Sequence, residues 1–216
     1  FVLARALFTD AEVFRRVSST HQGETEALRV VNRLLEQLDD EHRVLANQLR
    51  AGLLRYIPGL LVLCEGADEL WFWALVEKGP LEALRKVRAT TWAKLLKLHR
   101  KRSVTVDMLT GLLAQPHPQV PEVVSQNHAL AALLIIKRLR LVEQQRKMME
   151  KKQKLLLLEM SARREDGKPS DVEILLSMPG IAEKTAAIFL VEAGEALRAC
   201  DLQTLRAVSG VAPVTK

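Results

Sequence analysis

Residues 24–56, ETEALRVVNRLLEQLDDEHRVLANQLRAGLLRY, decide the fold. They contain no Pro, and Leu28, Val31, Leu35, Leu38, His42, Leu45 and Leu49 recur at alternating spacings of three and four. That repeat belongs to one long helix with a single apolar seam of the coiled-coil type. The predicted helix stops at Ile57-Pro58-Gly59, where Pro lacks an amide donor and Gly relaxes the backbone. His42 occupies a seam position with no second ligand near it in sequence, so it reads as a core or edge side chain and not as a metal ligand.

Outward from this helix the chain stays helical. Phe1-Val2-Leu3-Ala4-Arg5-Ala6-Leu7 opens directly in a helical pattern, with no initiator Met and no signal-peptide layout, and residues 1–20 are expected to be the end of a preceding domain. Residues 60–120 predict several short helices separated by breakers at Glu65-Gly66, Lys78-Gly79-Pro80 and Gln115-Pro116-His117-Pro118. Trp71, Phe72, Trp73 and Trp92 concentrate aromatic bulk here and predict a small hydrophobic plug; base stacking is the sharper alternative. A second long helix is expected over 121–164, with Pro121 in its first turn and a stripe at Leu130, Leu134, Leu141, Met148, Leu155 and Leu158. Lys137, Gln144 and Lys151 interrupt that stripe. Two long helices joined by a compact connector predict an antiparallel coiled-coil hairpin over 21–165, whose free faces suit self-association as a dimer or tetramer.

Composition agrees with an all-α chain. Of the 216 residues, 48% are hydrophobic and only 4% aromatic, with Leu, Val and Ala carrying the apolar content. Cys64 and Cys200 have neither C-x-x-C spacing nor a His cluster, so no zinc site or disulfide framework is indicated, and a reducing cytoplasm fits. The apolar run 129–136 is far too short to cross a bilayer.

Charge is uneven. Residues 1–84 carry 9 basic and 13 acidic side chains, residues 85–154 carry 16 and 4, and residues 155–216 carry 7 and 9, giving nets of −4, +12 and −2. Such a block attracts polyanions and supplies phosphate contacts that weaken as salt rises. Arg88, Lys94, Lys97, Arg100, Lys101 and Arg102, in the run that starts at Arg85 and Lys86, are the expected phosphate contacts. Lys137, Arg138, Arg140, Arg146, Lys147, Lys151, Lys152 and Lys154 form a second basic set on the long helix.

Arg163-Arg164-Glu165-Asp166-Gly167-Lys168-Pro169-Ser170 ends the long helix and separates a third region, 166–216, whose first helix is capped by Ser170 or Asp171. Leu176-Ser177-Met178-Pro179-Gly180-Ile181-Ala182-Glu183-Lys184-Thr185-Ala186-Ala187 then resembles the hairpin of a helix-hairpin-helix DNA-binding unit. Pro179 ends one helix, Gly180 permits the tight turn and Ile181 plugs the gap, while the next helix offers free backbone N–H groups and its positive dipole end to a phosphate. Gly180, Ile181, Lys184 and Thr185 are the expected DNA contacts, of a kind that positions a protein without reading sequence. Ala182 stands where such hairpins more often carry a second Gly, and its Cβ restricts close backbone approach.

The stretch from Met178-Pro179-Gly180-Ile181 through Thr185-Ala186, Glu192-Ala193-Gly194 and Leu205 to Val208-Ser209-Gly210-Val211-Ala212-Pro213 resembles the C-terminal domain of the DEDD-type insertion-sequence transposases, which include recombinases guided by a bridging RNA. Ala4-Arg5-Ala6-Leu7 before Thr9-Asp10, Asn47-Gln48-Leu49 and Tyr56-Ile57-Pro58-Gly59-Leu60 extend the resemblance more diffusely through the chain. It implies a bacterial, cytoplasmic and nucleoid-associated parent that acts on DNA with a structured guide RNA. It also implies four metal-binding acids, with a divalent ion such as magnesium, in an N-terminal domain, and a nucleophilic serine in the C-terminal one. The last two acids are expected before Phe1, Asp10 does not match them, and the serine is expected beyond the Gly210-Val211-Ala212-Pro213 element. No catalytic residue, metal ligand or cofactor is therefore expected within the chain, and Ser209 lies on the wrong side of the Ala-Pro element to replace the serine. Two other readings fit parts of the pattern: a non-catalytic helix-hairpin-helix module of repair machinery, and a coiled-coil interaction scaffold.

Overall fold

A computed structural model describes residues 22–117, 120–162, 169–199 and 201–208. The expected domain end at 1–20, the polar boundary at 163–168, Cys200, Ser209 and the element at 210–213 lie outside the described residues. The protein is all-α. Its helices are α1 (Gln22–Leu54), α2 (Leu70–Val76), α3 (Leu81–Arg85), α4 (Ala89–Leu98), α5 (Val106–Ala114), α6 (Glu122–Ala162), α7 (Asp171–Ser177), α8 (Glu183–Glu192), α9 (Gly194–Arg198) and α10 (Leu202–Val208), with a 3-10 turn at Pro58–Leu63 and no strand among the described residues.

The chain divides into two compact units, one of residues 35–148 and one formed by the flanks on either side of it. The seam read on α1 is its buried face: Leu28, Val31, Leu35, Leu45 and Leu49 are buried, and Leu38 and His42 are half-buried. Each such Leu contributes about 1.5–3 kcal/mol when removed from water, which no exposed helix of this length obtains from propensity alone.

In the unit of residues 35–148, the short helices wrap the aromatic cluster. Trp71, Phe72 and Trp73 of α2 and Trp92 of α4 are buried with Leu84 of α3, Leu109 and Leu113 of α5, and Leu45, Leu49 and Leu53 of α1. Trp73 Nε1 donates to the Ala67 carbonyl at 2.8 Å, and the His42 ring lies 6.0 Å from the Trp73 ring, so His42 is a packing residue. Burial on this scale removes these rings from any stacking on bases. Thr105 starts α5 by accepting from the Met108 N–H at 3.2 Å. Arg85 ties α3 to the end of α5, donating from Nε to the Leu113 carbonyl at 2.8 Å and from Nη2 to the Gln115 carbonyl at 3.2 Å.

Here α6 buries Ala129, Ala132, Ile136, Leu139 and Val142. The stripe expected to face inward does the opposite: Leu130, Leu134, Leu141 and Met148 are 54–57% exposed. The buried face instead follows Ala129, Ala132, Ile136, Leu139 and Val142 at spacings of three and four, and its two alanines make it less conspicuous in sequence than the leucine stripe. Ion pairs link Arg146 to Asp39 at 2.7 Å and Arg138 to Glu41 at 3.3 Å; the partners descend along α1 as they ascend along α6, so the two helices pass in opposite directions.

In the flanking unit, a polar pair is buried. Gln153 Nε2 of α6 donates to Asn32 Oδ1 of α1 at 2.8 Å, and Asn32 Nδ2 donates to the Ala187 carbonyl of α8 at 3.2 Å. Val172 and Leu175 of α7 and Ala186, Ala187, Leu190 and Val191 of α8 are buried, and α7 packs on α8. Leu155 and Leu158, the last two members of the α6 stripe, are exposed here as well.

Candidate nucleic-acid interface

The turn between α7 and α8 is built by local chemistry. Ser170 caps α7 in a reciprocal box, its Oγ accepting from the Glu173 N–H at 3.2 Å while Glu173 Oε2 accepts from the Ser170 N–H at 2.9 Å. Met178 leaves the helix in extended conformation and Pro179 prevents its continuation. Gly180 takes a φ of +85°, in the left-handed region, and the Ile181 N–H donates back to the Met178 carbonyl at 3.2 Å.

Ala182 then opens α8 without a side-chain cap, so the first amides of a ten-residue helix lack the hydroxyl or carboxylate that usually accepts from them. Gly180 is exposed, Ile181 half-buried, Lys184 exposed and Thr185 half-buried, so the four expected contacts lie within one short turn. Lys154 pairs with Glu183 at 2.7 Å beside it, within the same unit.

The basic block separates into two classes. On α6, Arg138, Arg140, Arg146, Lys147 and Lys154 have carboxylate partners, whereas Lys137, Lys151 and Lys152 are exposed with none among the described residues; Arg140 grips Glu77 with two hydrogen bonds of 2.8 Å and stands over the Trp73 ring at 5.9 Å. Arg85 is likewise spent on α5 carbonyls and Glu82. By contrast, the side chains of Arg88, Lys94, Lys97, Arg100 and Arg102 are exposed and form no ion pair or hydrogen bond among the described residues. Lys94 and Lys97 share the outer face of α4, because Trp92, Leu95 and Leu96 commit the other face to the core. Arg100 holds a φ of +52° where the chain turns out of that helix.

Lys101 differs from its neighbours. Its Nζ lies 2.6 Å from Glu69 Oε2 and 5.4 Å from the Trp71 ring centre, with the two charged side chains only 17% and 24% exposed. Burial alone raises the Glu69 carboxyl, but hydrogen bonds from Lys101, Trp71 Nε1 and the Glu65 N–H outweigh it and hold Glu69 below the usual carboxylate range. Of the six basic residues expected to contact phosphate, five are available and Lys101 is occupied within the fold.

Cys64, the described cysteine, is close to the Lys101–Glu69 pair. Burial pushes the Cys64 thiol up to about 11, with the Glu69 charge adding to the effect, which leaves it protonated at neutral pH. Among the described residues no group of His, Cys, Asp and Glu stands where it could hold a metal ion, and no described helix is long and apolar enough to cross a membrane.

Two residues that sequence reasoning passed over, Tyr56 and His117, line a cavity with unpaired polar atoms. Both sit beside Pro-containing breakers, and nothing in their spacing marks them as a pair. What the accessible groups can do is bind a polyanion through charge, amides and hydroxyls, without reading sequence.

The chain is 37% identical over 102 residues to a protein of Sinorhizobium fredii named "Putative transposase y4uE", an overlap covering 47% of this chain and 28% of that relative's length. No solved structure matches the chain. Residues 172–216, which begin at the second residue of α7 and take in the turn and α8, match the transposase IS116/IS110/IS902 family.

Proposed function

We propose that this chain is a stretch of an insertion-sequence transposase that binds nucleic acid through two surfaces, the exposed cations of 88–102 and the turn at 180–185. The observation that carries the reading is the match of residues 172–216 to the transposase IS116/IS110/IS902 family. The exposed, unpaired Arg88, Lys94, Lys97, Arg100 and Arg102 support it, as does the uncapped start of α8. Both are suited to phosphates.

On this reading the parent is a DEDD-type recombinase guided by a structured RNA, acting on DNA as a dimer or tetramer in the bacterial nucleoid. The exposed apolar stripe on α6 supports self-association. Strand breakage and joining through a serine and metal-bound carboxylates is assigned to no residue of this chain.

The test is equilibrium binding of duplex DNA and of structured RNA to the wild type, to a variant with Arg88, Lys94, Lys97, Arg100 and Arg102 changed to Ala, and to Lys184→Ala/Thr185→Ala. The expected result is a large loss in the first variant and a smaller, sequence-independent loss in the second. Undiminished binding in both removes the proposed surfaces, and absence of binding to either polymer favours the scaffold reading.

A further inference from the structure

A cavity of about 380 Å³ opens in the unit of residues 35–148, between Tyr56, the first turn of α3 and the first turn of α6. Its size falls within the range of small-ligand pockets. Leu81 and Val120 give it apolar walls, and Tyr56, Arg85, His117 and Ser125 give it polar ones.

Its polar atoms are unevenly satisfied. Tyr56 is 3% exposed and its ring is stacked on His128 at 5.8 Å with an interplanar angle of 7°, yet its hydroxyl has no partner among the described residues. The buried Nε2 of His117, on the same cavity, also lacks one. Buried polar groups in folded proteins are rarely left in this state, and two on one cavity point to a ligand that satisfies both.

The charges around the cavity are already committed. Glu82 pairs with Arg85, which also donates from Nε and Nη2 to the Leu113 and Gln115 carbonyls, and Glu122 accepts from Gln126 at 2.9 Å. With no uncommitted cation on its walls and Glu122 at its edge, the cavity repels a phosphate and accepts an uncharged group. Burial pushes the Tyr56 phenol up to about 12, so it remains a neutral donor throughout the physiological range.

We propose that this cavity takes an uncharged nucleobase unstacked from bound nucleic acid, its ring against Leu81 and Val120 and its carbonyl oxygen accepting from the Tyr56 hydroxyl and His117 Nε2–H. This rests on the nucleic-acid reading above. Arg88, the first of the five expected phosphate contacts that remain exposed, follows α3 by three residues, so phosphates held there bring neighbouring bases to the same part of the unit. Capture of a base needs unstacking, which is least costly in a single strand.

The probes are an oligothymidylate strand, the same strand with abasic residues, and free thymidine. Wild type is expected to bind the base-bearing strand about tenfold more tightly than the abasic one, the difference expected of one buried hydrogen-bonding group. Tyr56→Phe, which keeps the ring and its packing, should abolish the preference and leave abasic binding unchanged. Equal affinity of wild type for the two strands, or a preference that survives in Tyr56→Phe, shows that the cavity holds water only and overturns the proposal. If neither strand binds, the nucleic-acid reading has failed separately. Thymidine-induced shifts of the His117 ring resonances, lost in Tyr56→Phe, would then support the base pocket by themselves, and their absence would overturn it.

Discussion

Replacing Lys101 with Ala should destabilise the unit of residues 35–148 far more than replacing Lys97, although the two lysines lie four residues apart in one basic run. Lys101 Nζ is 2.6 Å from Glu69 Oε2, and the side chains are 17% and 24% exposed. Removing one partner of a fully buried pair costs about 3–5 kcal/mol, and an exposed pair costs less than about 1 kcal/mol. Partial exposure sets the expectation between them, at about 2 kcal/mol. Loss of the cation over Trp71, 5.4 Å away, adds about 0.5–1 kcal/mol. Lys97 is exposed and unpaired among the described residues, so Lys97→Ala should stay within about 0.5 kcal/mol of wild type. Urea unfolding followed by tryptophan fluorescence reads this directly, because all three tryptophans, Trp71, Trp73 and Trp92, lie in this unit. Binding should show the reverse order, with Lys97→Ala weakening nucleic-acid affinity at unchanged stability. Coincident unfolding curves for Lys101→Ala and wild type would refute the assignment of Lys101 to the fold.

Acid should weaken the same contact. The Glu69 carboxyl is held below its ordinary value in the fold, so its contribution is fully present above the unfolded pKa of about 4.3 and is lost as pH falls through the lower folded value. The stability gap between wild type and Glu69→Gln, measured by urea midpoint, should therefore close progressively below about pH 4. In the flanking unit, Asn32→Ala should cost about 2 kcal/mol by leaving Gln153 unsatisfied, and Asn32→Leu combined with Gln153→Leu should recover most of it; equal losses in both variants would contradict the pairing. Gly180→Ala should cost about 1–2 kcal/mol through its φ of +85° alone, because a Cβ there meets open space; faster amide exchange localised at the turn is the check.

The residues explain which parts of the fold were legible. α1 was readable because Leu28, Val31, Leu35, Leu38, His42, Leu45 and Leu49 keep a regular three-and-four spacing on one buried or half-buried face, even though Val30, Leu34 and Val44 are exposed, and the Ser170 cap because its box is closed within four residues. The α6 stripe misled for a physical reason. Leu130, Leu134, Leu141 and Met148 outweigh Ala129 and Ala132 in hydrophobic size, so the buried seam of Ala129, Ala132, Ile136, Leu139 and Val142 is masked by its own small members. The basic block was visible, but its division was not. The partners that occupy Lys101, Arg140 and Arg146 are Glu69, Glu77 and Asp39, 32, 63 and 107 positions earlier in the chain. Only the folded arrangement distinguishes these structural cations from the five that remain exposed between Arg88 and Arg102.

The salt dependence of duplex binding, measured for wild type and for the variant lacking Arg88, Lys94, Lys97, Arg100 and Arg102, tests the central claim most directly. Each neutralised phosphate contributes about −0.9 to the slope of log K against log salt, so removing five cations that each contact one phosphate should flatten the slope by about 4 to 5. Identical slopes for the two proteins would contradict the claim that this surface holds the nucleic-acid backbone.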